Sequence, residues 1–330
     1  MNKISLTFAA LLLLPVALLA GTESDAAKQA FISMMQKKHG FDPVKLEATL
    51  NKAELKQNII KTMNRPAEKR LTWTGYRKIF ITDKRIKGGV KFWNENKALL
   101  DQAHQQFGVP PEIISAILGV ETFYGGNTGG HRIIDALVTL GFHYPRRAKF
   151  FTKELENFLI LTRDQNIDPT EPTGSYAGAM GKPQFMPSSY RHYAYDFDRD
   201  NKTDIWNNNA DVIGSVANYF GRHGWRRDQA IATQLDGVTG QNSKDLTTAM
   251  KPSIPANRLL QNGITSKQPI RPSQLTSFIA LEKDKGTEYW AGLHNFYVIT
   301  RYNPRNKYAM AVYQLSEAIK QERNKQLAMK

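Results

Sequence analysis

The 330-residue chain contains no cysteine, which excludes disulfides, thiolate metal centres, iron–sulfur clusters and cysteine nucleophiles together. Acidic side chains are in short supply: 30 Asp and Glu stand against 45 Lys and Arg, a net charge of +15. The short motifs of several enzyme classes are also missing. Gly181-Lys182 lacks the preceding glycine and the following Ser or Thr of a phosphate loop, and there is neither a Gly-x-Ser-x-Gly elbow nor a His-Glu-x-x-His zinc helix. Beyond residue 20 no segment is long and apolar enough to cross a bilayer.

The one long apolar run lies at the start. Lys3 precedes Ile4 to Ala20, broken only by Ser5, Thr7 and Pro15, and polar residues follow. This is the pattern of an export signal, expected to end near residue 26 and to direct the chain to the periplasm. An uncleaved anchor is the other reading, since the run is close to the ~17-residue lower limit for spanning. An exported basic protein meets the cell wall and the membrane surface as polyanions, not nucleic acid. Lys and Arg are spread along the chain, so the same charge also suits a surface merely kept soluble.

The stretch from Pro110 to Asn127 is the centre of the pattern. Pro110 or Pro111 suits the first helical position and Gly125-Gly126 suits the stop. Ile114, Ile117 and Leu118 share a helical face with Glu121. A carboxylate on an apolar face near a helix C-terminus is disfavoured in its charged form, as a general acid requires. A structural ion pair to one of the many arginines is the alternative.

Around it the pattern is mostly helical. Phe31 and Met34 fall on one stripe, Asp42-Pro43 opens a second helix, and Asn64-Arg65-Pro66 closes a third. A helix is expected from Lys91 to Phe107, another from Ile133 to Leu140, and a third from Arg146 to Arg163 with Phe150, Leu155, Phe158 and Leu161 in the core. Ser175 to Ser189 is too rich in Gly and Pro for a helix before Pro187. It reads as a substrate-lining loop with Ser175 and Gln184 as polar groups, or as a tight connection packed by Met180, Phe185 and Met186. Asp211 to Arg222 is helical, with Gly224-Trp225 ending it. Leu275 to Glu282 and Thr287 to Thr300, joined by Lys283-Asp284-Lys285-Gly286, predict a small antiparallel sheet. Tyr308, Val312, Leu315 and Ile319 make a last helical stripe.

Asp196, Asp198, Asp200, Asp204 and Asn207 occupy positions 1, 3, 5, 9 and 12 of a calcium-loop frame. Asn201 replaces the usual glycine and Asn207 the bidentate glutamate, so modest affinity is expected, with Asp211 one turn on as a substitute carboxylate. A solvated acidic loop is the competing reading.

Gly119-Val120-Glu121-Thr122, Tyr144-Pro145-Arg146-Arg147-Ala148, Gly178-Ala179-Met180-Gly181 through Ser189, the acidic loop and Ser215-Val216-Ala217-Asn218-Tyr219 together resemble the lytic murein transglycosylase B family. The resemblance runs from about residue 30 to residue 320. It implies a mainly α, α+β fold: a lysozyme-like helical core (71–225) with a metal loop at 196–211, a helical region (27–70), a small β-containing domain (226–300) and a C-terminal helix (301–330) packing back. It implies Glu121 as the one acid/base and Tyr76, Arg146, Arg147, Ser175, Gln184, Tyr219, Tyr302, Asn303 and Tyr308 along a glycan groove. Asp196, Asp198, Asp200, the Lys202 carbonyl and Asp211 are its implied ligands for a structural Ca2+, with no organic cofactor. The expected partner of such a monomer is the peptidoglycan strand, with other cell-wall enzymes as candidates. The implied reaction splits the bond between N-acetylmuramic acid and N-acetylglucosamine without water; a hydrolytic muramidase and a non-catalytic wall-binding scaffold are the rivals. Family members are often lipoproteins, whereas here Thr22 follows Leu19-Ala20-Gly21 where a lipid-bearing Cys would stand.

Overall fold

The computed structural model describes residues 16–64 and 71–329, with side chains from residue 24 onward. Residues 1–15, which carry most of the run read as an export signal, and Arg65-Pro66 lie outside the described residues. Three helices open the fold: α1 (Val16–His39), α2 (Pro43–Asn51) and α3 (Gln57–Met63). α1 crosses residue 26 without a break. Asp42 starts α2 by accepting hydrogen bonds from the Val44 and Lys45 amides, with Pro43 at the first helical position.

The central body holds α4 (Trp73–Phe80), α5 (Asp83–Glu95), α6 (Lys97–Phe107), α7 (Pro111–Thr122), α8 (Ile133–His143), α9 (Ala148–Asp164), α10 (Pro187–Tyr193) and α11 (Asn209–Arg222). The two-residue strands β1 (His131–Arg132) and β2 (Thr173–Gly174) pair within it. The helix expected from Lys91 to Phe107 is thus two. Asn96 leaves helical geometry at φ −114°, ψ 24° and bonds its side chain back to the Phe92 carbonyl, breaking the run between α5 and α6. In α9 the core position expected for Phe150 belongs to Phe151: Phe150 is 38% exposed and Phe151 1%. The helix starts at Ala148, after a short 3-10 turn over Pro145–Arg147, and this sets which face turns inward.

The remainder is β3 (Ala232–Asp236), β4 (Ile254–Pro255), α12 (Ala256–Leu259), β5 (Thr265–Ser266), β6 (Leu275–Glu282), β7 (Thr287–Gly292), α13 (His294–Tyr302) and α14 (Asn306–Ala328). The sheet order is β4-β6-β7-β3-β5, antiparallel throughout. The β6–β7 hairpin is the expected one, closed where the Lys283 amide bonds the Gly286 carbonyl. The strand expected up to Thr300 stops at Gly292. From His294 the apolar residues Phe296, Val298 and Ile299 are all buried in a helix, a tertiary context that overrides their β preference.

α7 is the buried axis. Ten of its twelve residues are buried, and α5, α6, α11 and α14 pack on it. Tyr308, Val312, Leu315 and Ile319 of α14 are at most 2% exposed. Gly119 is small for a reason: a Cβ there would lie 2.6 Å from the Tyr124 hydroxyl, which is wedged against α5 and donates to the Arg85 carbonyl. A separate cluster of Leu235, Leu259, Ile264, Phe278 and Ala291 fills the sheet's own core.

One ion cluster ties α1 to α9. Burial by itself would raise the Glu156 carboxyl, but hydrogen bonds and charge from Lys153, Lys38 and His39 reverse this and hold it at about 2, against 4.5 ordinarily. The folded state therefore holds this proton less tightly than the unfolded chain. The cluster's contribution is complete above about pH 4.5 and is lost as pH falls toward about 2. Stability of a Glu156→Gln variant, measured by urea unfolding at stepped pH, is expected to fall less steeply than the parent's across that window. Parallel curves would refute the assignment.

Candidate active site

Glu121 is the penultimate residue of α7 and is half-buried. The helix does not run on to Gly125-Gly126 as expected. It stops at Phe123 and Tyr124, both left-handed at φ 54° and 62°, because the Tyr124 amide turns back to the Leu118 carbonyl. Thr122 fixes this end, accepting from the Gly125 amide and donating to the Lys182 carbonyl at 2.9 Å. Arg85 donates to the Gly119 carbonyl at 2.8 Å, placing a guanidinium at the helix's negative end.

Tyr308 donates its hydroxyl to Glu121 Oε1 at 2.5 Å. Burial first, then the neighbouring charge of Glu121, pushes the Tyr308 phenol well above its ordinary value, so it remains an O–H donor. Tyr302 stacks on Tyr308 with ring centroids 6.5 Å apart and planes at 11°, and its hydroxyl donates to the Pro183 carbonyl at 2.6 Å. Burial and Glu121 raise its phenol likewise. Tyr219 meets Tyr302 at 4.8 Å and donates to the Arg301 carbonyl at 2.6 Å. Tyr76 lies in the same setting: its proximity contributes to the upward shift of Tyr308. Of the expected groove residues, the structure brings Tyr76, Tyr219, Tyr302 and Tyr308 together around Glu121.

The loop after β2 abuts these tyrosines through Pro183 and Phe185. Ser175 Oγ accepts from the Ala177 and Ala179 amides, and Gln184, left-handed at φ 54°, donates from Nε2 to the Thr128 and Gly181 carbonyls. Both side chains hold the loop in shape, and the hydroxyl proton of Ser175 is left for another acceptor. Asn303 ends α13 with extended backbone, its carbonyl accepting from the Arg305 amide. Arg146 and Arg147 sit elsewhere, exposed on the turn before α9 beside a groove of about 620 Å3 that Phe31, Met34 and Phe150 also line. Arg147 stacks over Phe150 and Phe151 at 4.3 and 5.1 Å.

Sequence reasoning offered Phe185 as loop packing without its partners, and missed Lys182 as a strut. Phe185 packs between Tyr219 and Tyr302, at 5.7 and 5.9 Å. Lys182 joins the loop to the acidic segment: its amide donates to the Ile205 carbonyl at 2.9 Å and its ammonium to Asn209 at 2.6 Å. No motif marks these roles, since each depends on a partner distant in sequence.

In the acidic segment Asp196, Asp198 and Asp211 each bring a carboxylate oxygen within 4.8 Å of the others. Asp211 is fully buried and accepts from the Phe197 and Asp204 amides. Its burial raises its carboxyl, as do Asp198 and Asp196, against the pull of those two amides. Asp200 stands at the tip, its amide bonded to Asp196 and Asp198 and its own Oδ1 accepting from the Lys202 amide. Arg199 and Asn201 adopt the left-handed backbone that bends the loop. An all-oxygen set with like charges this close suits a hard cation.

Comparison with known proteins agrees. The model of the transglycosylase SLT domain matches residues 23–317. The membrane-bound lytic murein transglycosylase B of Escherichia coli K12 is 44% identical over 300 residues, 88% of this chain and 82% of that protein. The crystal structure of the soluble lytic transglycosylase SltB1 of Pseudomonas aeruginosa superposes with a TM-score of 0.85 at 47% identity, covering 90% of this chain and 99% of that one. The Escherichia coli lytic transglycosylase Slt35 in complex with calcium gives 0.83 at 44%, covering 90% and 93%. The helical body, its lysozyme-like core and the small antiparallel sheet are those of enzymes that act on peptidoglycan, the lytic transglycosylases. Within that class, the chain belongs to the transglycosylase SLT family.

Proposed function

We propose that this enzyme cleaves the β-1,4 bond between N-acetylmuramic acid and N-acetylglucosamine in the periplasm, with Glu121 as its sole acid and base, and forms a 1,6-anhydro-muramic product. The observation that supports this most is the 2.5 Å bond from Tyr308 to Glu121, which holds one carboxyl beside Tyr302, Tyr308, Phe185 and the Ser175–Gln184 loop. Most glycosidases that use water or an enzyme nucleophile employ a second carboxylate. Here the substrate supplies that role: Glu121 protonates the leaving oxygen, the muramic 2-acetamido group stabilises the positive anomeric carbon, and the 6-hydroxyl then attacks that carbon. Its proton returns to Glu121, so no water enters or leaves.

Tyr308 steadies the Glu121 carboxylate left after the first proton transfer, Tyr302 stacks behind it with its own proton on the Pro183 carbonyl, and the Ser175 hydroxyl and Gln184 orient the sugar's polar groups. Asn303 and Tyr219 line the groove, and Arg146 and Arg147 are exposed forks for the carboxylates of the peptide stems. Asp196, Asp198 and Asp211, with Asp200 and the Lys202 carbonyl, would hold a calcium ion, as the complex of the 44%-identical Escherichia coli structure suggests. When bound, the ion supplies charge neutralisation and loop order.

Digestion of purified peptidoglycan followed by mass spectrometry tests the reading. Products one water lighter than hydrolytic muropeptides are expected. Products of full hydrolytic mass would make the protein a muramidase, and wall binding without products would make it a scaffold.

A further inference from the structure

A second cleft opens on the far side of α4 and α14 from Glu121. α4 stands between the two: Tyr76 packs on Phe80 and on Trp73, and Trp73, Arg77 and Lys78 line the second cleft. α14 does the same, turning Tyr308 to Glu121 and Tyr313, Gln314 and Glu317 to the cleft. The third wall is the sheet, through Gln234 of β3 and Glu288 and Trp290 of β7. The cavity measures about 570 Å3, and a neighbour of about 490 Å3 shares Tyr313 and Glu317 with it. Together they make a trough along α14.

Three features of this trough point to a ligand. The Trp73 side chain is 1% exposed, yet its indole Nε1–H finds no acceptor among the described residues, and the same holds for buried His104 Nδ1 in the neighbouring cavity. Such orphaned groups are few in folded proteins and call for a partner. Secondly, planar amides and ions stand beside indole and phenol rings: Arg77 donates to Gln314 at 2.6 Å, Trp290 Nε1 to Glu288 at 2.7 Å, and Trp290 meets Tyr313 edge-on at 6.1 Å. Rings with a polar edge cover the C–H faces of a sugar, while amides and carboxylates bond its hydroxyls. Thirdly, the charges nearly balance. Arg77, Lys78 and Lys283 face Glu288 and Glu317, on a molecule of net +15, so the trough is a poor place for a polyanion.

We infer that this trough is a second saccharide-binding site, which takes an uncharged amino-sugar stretch of a glycan strand apart from the stretch at Glu121. The inference rests on the reading of the substrate as peptidoglycan. The site holds polymer and performs no chemistry, so its loss weakens attachment to the wall and spares the turnover of short fragments.

The test uses Glu121→Gln protein, which does not consume its ligand, and an N-acetylglucosamine tetramer as probe. In 15N-labelled protein the indole N–H signals of Trp73 and Trp290 are expected to shift on titration, and Trp290→Phe and Gln314→Ala to weaken binding to isolated sacculi by roughly tenfold. Gln314 is half-buried at the cleft and outside the apolar core, so its variant keeps the fold even if Trp290 contributes to packing. In the Glu121 background, both variants are expected to turn over a short soluble muropeptide within about twofold of the parent. Shifts confined to the Glu121 site, or sacculus affinity unchanged in both variants, would overturn the inference. Because the signals are read without turnover, hydrolytic products would overturn the catalytic reading and leave this one standing.

Discussion

Glu121→Gln is expected to fold, to bind peptidoglycan and to release essentially no product. The amide retains an oxygen that can accept from Tyr308, so the hydrogen bond at 2.5 Å and the packing of α14 on α7 survive. It can neither give nor take the proton. Positioned acid–base catalysis contributes about 10²- to 10⁴-fold, and one group serving both halves of a reaction belongs at the upper end of that range. Turnover is therefore expected to fall by about 10⁴-fold, measured as anhydro-muropeptide release under excess enzyme, with sacculus binding within about twofold of the parent. Retained turnover would remove Glu121 from the chemistry. Lost binding would show instead that Glu121 contributes chiefly to substrate affinity.

α7 and α14 were legible in the sequence because each carries an unbroken apolar stripe at helical spacing, and that stripe is buried as expected. The acidic loop was legible because alternate carboxylates make little sense without a cation between them. What could not be read was set by distant partners. Nothing local says that Phe151 rather than Phe150 turns inward; the 3-10 turn at Pro145 decides it. The sequence from Phe296 to Ile299 has the composition of a strand and becomes a helix because Phe296, Val298 and Ile299 share a buried face with Asn295 and Thr300. β3 was overlooked because five residues next to turn-rich sequence carry little period, and its pairing with β7 places it. The four tyrosines around Glu121 came from resemblance and not from pattern. They lie up to 232 residues apart in the chain, and no spacing rule connects Tyr76 to Tyr308.

Removal of the metal is expected to cost stability first and activity second. A ligand at 100 times its dissociation constant stabilises the folded state by about 2.7 kcal/mol, and for a chain of this size each kcal/mol moves the midpoint by roughly 2 °C. Chelation should thus lower the melting temperature by about 5 °C. The loss reaches the groove through defined contacts. Gly181 sits so close to the acidic segment that a Cβ would fall 2.5 Å from the Ile205 carbonyl, and the Lys182 amide bonds that same oxygen. Loosening Ile205 frees Lys182 and Pro183, and with them the carbonyl that anchors Tyr302. Asp211→Ala goes further. It strips the buried Phe197 amide and the half-buried Asp204 amide of their acceptor, at about 1–3 kcal/mol each, and it removes a ligand. Calorimetry with and without calcium should show a melting temperature roughly 9–17 °C lower for the variant than for the calcium-loaded parent, with no further response to chelator. An unchanged parent melting temperature on chelation would refute the calcium assignment. A variant that keeps the parent's chelator response would remove Asp211 from the ligand set and leave it a purely structural carboxylate.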